Sequence, residues 1–331
     1  MSKFKYLIKR IFKMNYGRMF KTINEIHGKT GKNRVKLFFD IIYCGIKYQA
    51  GYLDYSLFEM YNLNSKQRKT VITRGINNQF IKKYNNPKFT HIFNNKNEFN
   101  EMFKDFIKRD WMIVGSNNKK EFLEFVKDKK EIIIKPIDGT HGDRIERLST
   151  STKNLYEHIL ETKAYLVEEV IVQNKVMQRL NSSSVNTIRA ITVFKNDKAY
   201  IVAAYIRIGN GKVVDNFNNG GMTAPINVDN ATIEFPALDK KGNLYYKHPI
   251  TNTPIVGFKI PNWEKIQELV TSAGRLVKEV RFVGWDVCIT EDGALLIEGN
   301  DFPGHDIYQL PPHRKDGIGM LPQFERILNE D

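Results

Sequence analysis

Apolar residues recur at helical spacing along the first ninety positions. Phe4, Leu7, Ile8, Ile11 and Phe12 fall at i, i+3, i+4, i+7 and i+8, which is one face of a helix. Further amphipathic stretches follow, separated by Gly28, Gly31, Gly45, Gly51 and Gly75, and Asn85-Asn86-Pro87 reads as a boundary. Asn94 to Lys108 predicts another helix, with Phe99, Met102, Phe103, Phe106 and Ile107 on one face. Beyond Lys130 the texture changes to short apolar runs. Glu131 to Lys135 and Tyr165 to Glu169 predict strands; Thr187 to Phe194 and Lys198 to Ile208 predict two more, paired across Lys195-Asn196-Asp197. Trp263 to Glu279 predicts a helix that buries Ile266, Leu269, Val270, Ala273 and Val277. Val283 to Thr290 and Ala294 to Glu298 form a hairpin turning at Glu291-Asp292-Gly293. The last thirty residues, rich in Gly and Pro, predict irregular structure.

Composition narrows the class. A chain of 331 residues suggests two domains or one large multi-lobed one. The 41% hydrophobic share excludes wholesale disorder. Cys44 and Cys288 are the only cysteines, so neither a disulfide framework nor a Cys-based zinc cluster is expected. No apolar run approaches the roughly 20 residues that span a bilayer, and no signal-peptide pattern opens the chain. A cytoplasmic protein is the expectation.

Charge adds a second theme. Residues 1–36 carry eleven Lys and Arg against Glu25 alone, so ten of the fourteen net positive charges lie there. A helix docking its apolar face on its own domain accounts for this pattern. So does peripheral contact of residues 1–36 with an anionic membrane, which would place the protein at the inner membrane surface. Specific nucleic-acid binding is not expected, because no recognition motif accompanies the charge.

Four features carry candidate chemistry. Asp286 lies in one strand of the final hairpin, and Glu298 and Asn300 end the other, two apart and hence on one face. Two carboxylates and an amide oxygen suit Mg²⁺ completed by phosphate and water, though a polar hairpin alone would look the same. Lys135 ends an apolar strand, and Gly139-Thr140-His141-Gly142 follows, a loop whose backbone N–H groups could approach an anion. Glu168-Glu169 closes another strand before Val170-Ile171. Arg207 precedes a stretch rich in Gly and Asn that includes Asn216, Gly220 and Gly221. The P-loop and dinucleotide fingerprints are missing from the sequence.

In this order the features resemble the ATP-grasp superfamily, and more narrowly its sugar-transfer-associated branch, with glutamate-ligase-like motifs. The resemblance runs over roughly residues 90 to 310 and rests on Asn95-Lys96, Lys135, the stretch from Gly139 to Asp143, Glu168 to Ile171, Asn216 to Gly221 with Arg207 upstream, and Asp286, Glu298 and Asn300 followed by Pro303-Gly304. Ser-Val-Asn186-Thr-Ile-Arg189 and Val-Gly-Trp-Asp286 look typical of the branch. It departs at Gln173 and Lys175, where a ribose-binding acid is expected.

The resemblance implies an α+β fold in which two lobes sandwich ATP. Residues 1–90 would be a helical, basic N-terminal region and residues 91–331 the ATP-grasp domain, with lobe one about 91–170 and lobe two about 171–331. It implies ATP bound by Lys96, Lys135, Gly139, Thr140, His141, Gly142, Glu168, Glu169, Val170 and Ile171. Mg²⁺ would be held by Asp286, Glu298 and Asn300. Arg207, Arg189 and Asn216 would be catalytic, and Gly220, Gly221 and His305 would meet substrate. The activity implied is an ATP-dependent carboxylate–amine ligase working through an acyl phosphate. Its substrates would be small-molecule or glycan carboxylates and amines of surface polysaccharide biosynthesis. A kinase phosphorylating a hydroxyl of a small molecule or glycan is the alternative.

Overall fold

The computed structural model describes residues 15–137, 145–163, 165–211, 217 and 220–329. Gly139, Thr140, His141, Gly142 and Asn216, together with the first amphipathic stretch from Phe4 to Phe12, lie outside the described residues. The chain divides into two compact units, one of residues up to 83 with 304–329 and one of residues 84–303. Residues 304–329, which the resemblance assigns to the ATP-grasp domain, thus belong to the same unit as the N-terminal helices.

The first unit is helical. Tyr16–Thr30 and Arg34–Tyr48 are helices because asparagine caps each start: Asn15 accepts from the Arg18 N–H, and Asn33 from those of Val35 and Lys36. Gly31, at φ 71°, ends the first in the left-handed conformation that only glycine adopts without strain. Met19, Ile23 and Ile26 meet Leu37, Ile41 and Cys44 in the core with Tyr55, Phe58 and Met60. Arg68 grips Asp40 with two bonds of 2.7 Å, and the Tyr55 hydroxyl donates to the same carboxylate at 2.6 Å. The C-terminal residues join this unit through Gln309, whose amide accepts from the Ile72 N–H and donates to the Ile72 carbonyl. They are less irregular than the Gly and Pro content suggests. Leu321–Asn329 is a helix, because Phe324 and Ile327 share one buried face.

The second unit contains two antiparallel sheets. Strands β1 (Trp111–Ile113), β2 (Glu131–Lys135), β3 (Glu146–Ser149) and β4 (Leu166–Glu169) pair in the order β1-β4-β2-β3. The larger sheet holds β5 (Ile188–Lys195), β6 (Lys198–Ile208), β7 (Met222–Asn227), β8 (Thr232–Ile233), β9 (Ala237–Asp239), β10 (Leu244–Tyr245), β11 (Phe282–Thr290) and β12 (Gly293–Asn300). Its order is β10-β9-β7-β6-β5-β11-β12, with β8 on β7. The β5–β6 and β11–β12 hairpins form where the apolar runs and turn residues predict them.

Two helices differ from expectation. Asn94 to Lys108 breaks into the helices His91–Asn94, Lys96–Met102 and Lys104–Ile107. Asn95 caps the second, and Phe103 leaves helical geometry as its wholly buried ring packs with Phe93, Phe99 and Trp285. The helix from Trp263 stops at Gly274 rather than Glu279. A Cβ at Gly274 would lie 2.8 Å from the Phe194 ring, so the helix end presses closer to β5 than any other residue permits.

Candidate active site

The large sheet builds a row of charge across four neighbouring strands, β6, β5, β11 and β12. Arg189 on β5 stands opposite Asp286 on β11, and Asp286 stands opposite Glu298 on β12. Residues two apart on a strand share a face, which adds Arg207, two beyond the Tyr205 that pairs with Arg189, and Asn300, two beyond Glu298. Arg189 holds Asp286 with both ends of its guanidinium: Nε donates to Oδ1 at 2.5 Å and Nη2 to Oδ2 at 2.7 Å. Arg207 Nη1 donates to the same Oδ2 at 3.1 Å.

The electrostatics follow from this geometry. Asp286 is 2% exposed, and burial alone would raise its pKa, but Arg189 and Arg207 outweigh burial and hold the carboxyl far below the usual carboxylate range. Glu298 behaves in the opposite sense. The protein crowding it and the negative Asp286 alongside push its carboxyl up, against the weaker pull of Arg189 at 3.8 Å. Its side chain is still 44% exposed.

Two carboxylates close enough for one to be driven toward protonation form an arrangement that a divalent cation relieves. Three arginine N–H groups occupy Asp286, and the Glu298 carboxyl lies within hydrogen-bonding reach of it, a contact that a cation would replace. Glu298 faces solvent. The Asn300 amide oxygen accepts from the Phe302 N–H at 2.9 Å and keeps one lone pair. Among the described residues no group of three His, Cys, Asp or Glu side chains could hold a metal. A Mg²⁺ ion would therefore rest on two carboxylates and an amide, with other oxygens completing its shell, and these residues fit that role.

The small sheet carries the lysine half of the site. Lys135, at the end of β2, pairs with Glu168 on β4 at 2.8 Å, and both are buried. Lys96 opens its short helix and donates to the Ile137 carbonyl at 3.3 Å, which brings both predicted lysines to the exit of β2. Glu168 is not a free strand end. It also accepts from Arg109 at 3.0 Å and from the Asn100 amide at 3.2 Å. Burial would raise its pKa, but Arg109 and Lys135 together hold it down to about 2. Glu169 is exposed and pairs with the backbone of Asp110 instead, while Val170 and Ile171 continue as half-buried irregular chain.

Arg109 is a buried residue of this candidate site that the sequence pattern does not single out. Besides Glu168, its guanidinium donates to the carbonyls of Leu296 at 2.7 Å and Ile297 at 3.2 Å. These residues immediately precede Glu298, so one buried arginine ties the Lys135–Glu168 pair to the carboxylate strand of the other sheet. No motif surrounds it; its only signal is a lone arginine between an apolar helix and a strand.

The remaining predicted residues divide. Gly220, in a turn at φ 96°, and the buried Gly221 lead into β7, whose Thr223 pairs with Arg207. His305 belongs to the other compact unit. It lies inside the helical unit, with Nε2 2.9 Å from Asp54 and its ring against Phe58, which commits the imidazole to packing. Gln173, at the expected ribose position, is also structural. Its amide bridges the carbonyls of Asn181 and Ser184 and accepts from Asn186, so it fixes the loop before β5. Asn186, in the Ser-Val-Asn stretch, is 1% exposed and serves that same knot. Cys288 is a small buried side chain on β11.

The model of the family described as "Sugar-transfer associated ATP-grasp" matches residues 144–325, more than half of the chain. The chain belongs to the sugar-transfer-associated ATP-grasp family. No curated protein sequence matches it significantly. Solved structures resemble this ATP-grasp chain at low identity, three of them as follows. The ATP-grasp ligase PsnB, complexed with precursor peptide PsnA2 and AMPPNP, is 13% identical over 74% of this chain and 61% of its own, with a TM-score of 0.44. D-alanine–D-alanine ligase from Bacillus anthracis is 14% identical over 72% and 67%, with a TM-score of 0.42. D-cycloserine synthetase DcsG is 14% identical over 73% and 71%, also with a TM-score of 0.42. The ATP-grasp chain thus spans 61% of the length of the PsnB chain.

Proposed function

We propose that the protein is an ATP- and Mg²⁺-dependent carboxylate–amine ligase that modifies a sugar or glycan in surface polysaccharide assembly. The family supports ATP as the phosphoryl donor and gives the sugar context. The observation that carries the reading is the juxtaposition of a buried lysine and an arginine–carboxylate row, joined through Arg109.

In this reading the substrate carboxylate attacks the γ-phosphorus of ATP. The bond to the β,γ-bridging oxygen breaks, and ADP leaves with an acyl phosphate formed. An amine then attacks the acyl carbon, inorganic phosphate departs, and the amine loses a proton, leaving an amide. Lys96 and Lys135 neutralise the nucleotide phosphates, and Lys135 exchanges its Glu168 partner for them. Arg207 and Arg189 supply planar, always-charged donors for the transferred phosphoryl oxygens. Phosphoryl transfer needs positioning and charge neutralisation more than covalent help from the protein, and these residues are equipped for that. When bound, Mg²⁺ would be held by Asp286, Glu298 and Asn300 and would neutralise charge on the β- and γ-phosphates.

The test is ADP and phosphate release from Mg·ATP with a panel of uronic-acid glycans and amino acids, with hydroxylamine as a trap. Hydroxamate formed with a carboxylate substrate is expected. ADP formation with a stable phosphate monoester and no hydroxamate would replace the ligase by a kinase. ATP binding without turnover across the panel would remove the polysaccharide substrates.

A further inference from the structure

The helix Arg34–Tyr48 is apolar on two opposite faces. Leu37, Ile41, Cys44 and Tyr48 fall on one face and are buried in the core of the helical unit. At about 100° per residue, Val35, Phe39, Tyr43 and Ile46 fall on the other, within an arc of roughly 80°. That second face is in solvent: Val35 and Phe39 are 64% exposed, Ile46 53% and Tyr43 42%. The preceding helix extends it, because Phe20, 51% exposed, stacks on Phe38 at 5.9 Å, and Phe38 meets Phe39 edge-on at 5.4 Å. A helix apolar all round is normally covered on both sides. Contiguous exposed apolar surface of this kind marks an interaction site.

Charge selects the occupant. Within residues 15–48 the cations are Arg18, Lys21, Lys29, Lys32, Arg34, Lys36 and Lys47, against Glu25 and Asp40. Asp40 is already neutralised by the bidentate Arg68. Lys36 and Lys47, both exposed, border the ridge on its one polar side, and Phe38 and Ile42 continue it on the other. A second copy of the chain would bring the same cations against these. Residues 1–14 carry five Lys and Arg and no acid, a charge of the same sign. An apolar ridge rimmed by cations complements a bilayer interface of anionic lipid, where aromatic and aliphatic side chains enter the acyl boundary and lysines meet headgroups. Among the described residues no helix is long and apolar enough to cross a membrane.

We propose that Val35, Phe39, Tyr43 and Ile46, with Phe20, form a membrane-docking ridge that seats the helical unit on anionic lipid. This stands independently of the ligase reading.

The experiment uses the full chain in co-sedimentation with vesicles of phosphatidylglycerol and phosphatidylcholine in equal parts, beside vesicles of phosphatidylcholine alone. The protein is expected to pellet with the anionic vesicles and to be released by high salt. Phe39→Asp combined with Ile46→Asp should lower the partition by on the order of a hundredfold, since two apolar side chains leave the interface. Both residues lie in solvent, so an unchanged melting temperature is expected and confirms the fold. Lys36→Glu combined with Lys47→Glu keeps the ridge and should lower binding to anionic vesicles only. Wild-type protein that stays in the supernatant overturns the proposal. So does a ridge variant that pellets like wild type, which assigns the contact to residues 1–14. A dimer dispersed by the ridge variant, without vesicle binding, gives the face to a second copy and also overturns it.

Discussion

Replacing Arg109 by methionine should weaken the protein in a way that depends on pH. Arg109 is buried and is the leading group holding the Glu168 carboxyl at about 2, against an ordinary value of 4.5. A depressed carboxyl stabilises the fold above its unfolded pKa, and the gain is lost as pH falls through the folded one. The displacement corresponds to about 3 kcal/mol, fully present above pH 4.5 and absent below pH 2. Without Arg109, Lys135 alone holds Glu168, and the Leu296 and Ile297 carbonyls lose their donor. Removing one partner of a buried ion pair costs about 3–5 kcal/mol at neutral pH. As pH falls to about 3, wild type gives up about 2 kcal/mol of this advantage, while Glu168 of the variant, whose pKa is nearer the unfolded value, gives up little. Urea unfolding of both proteins at a series of pH values measures the difference directly. The expected gap between the two narrows steadily below pH 5. A gap of constant size from neutral pH to pH 3 would refute the assignment of Arg109 as the group that holds Glu168 ionised.

Three further outcomes follow from the same residues. Lys135→Ala and Glu298→Ala should each bind Mg·ATP at least tenfold more weakly, the loss of one charge-assisted contact, with circular dichroism unchanged; wild-type affinity by calorimetry in both would remove the site. Gly299→Ala places a Cβ 2.8 Å from the Phe99 ring and 2.9 Å from Phe93, so it should cost about 1–3 kcal/mol in thermal unfolding through overpacking beneath β12. Glu298 has its carboxyl pushed up, so it destabilises the fold above its titration and ceases to as pH falls through it. Glu298→Gln should therefore raise the melting temperature at neutral pH while weakening Mg²⁺-dependent nucleotide binding, and a lower melting temperature would contradict the raised pKa.

Why some of this was legible in the sequence and some was not comes down to the range of the interactions involved. The β11–β12 hairpin could be read because its signals are local: two apolar runs, a Glu-Asp-Gly turn, and a two-residue period that puts Glu298 and Asn300 on one face. Adjacency of Asp286 and Glu298 then follows from register alone. Arg189 was legible as a residue of the site but not as the partner of Asp286, because β5 pairs with β11 across more than ninety intervening positions. Phe103 shows the same limit, since it fits a helical stripe and only packing against Trp285 breaks the helix there. Arg109 had no local signal, for its role exists only where Glu168 of one sheet and two carbonyls of the other converge.

The exposed ridge and the charge row differ from each other in the same terms. On Arg34–Tyr48 the apolar residues outnumber what one buried face requires, and only the structure shows which face the core takes. In the charge row the excess is of opposite kind: Asp286 has two arginines within 3.1 Å, while Glu298 beside it has only Arg189 at 3.8 Å. A fold selected for stability alone would place one arginine on each acid, because an uncompensated carboxylate next to another costs free energy. The imbalance leaves a carboxylate at the solvent edge whose charge either a proton or a cation relieves. The proposed Mg²⁺ site would use that property.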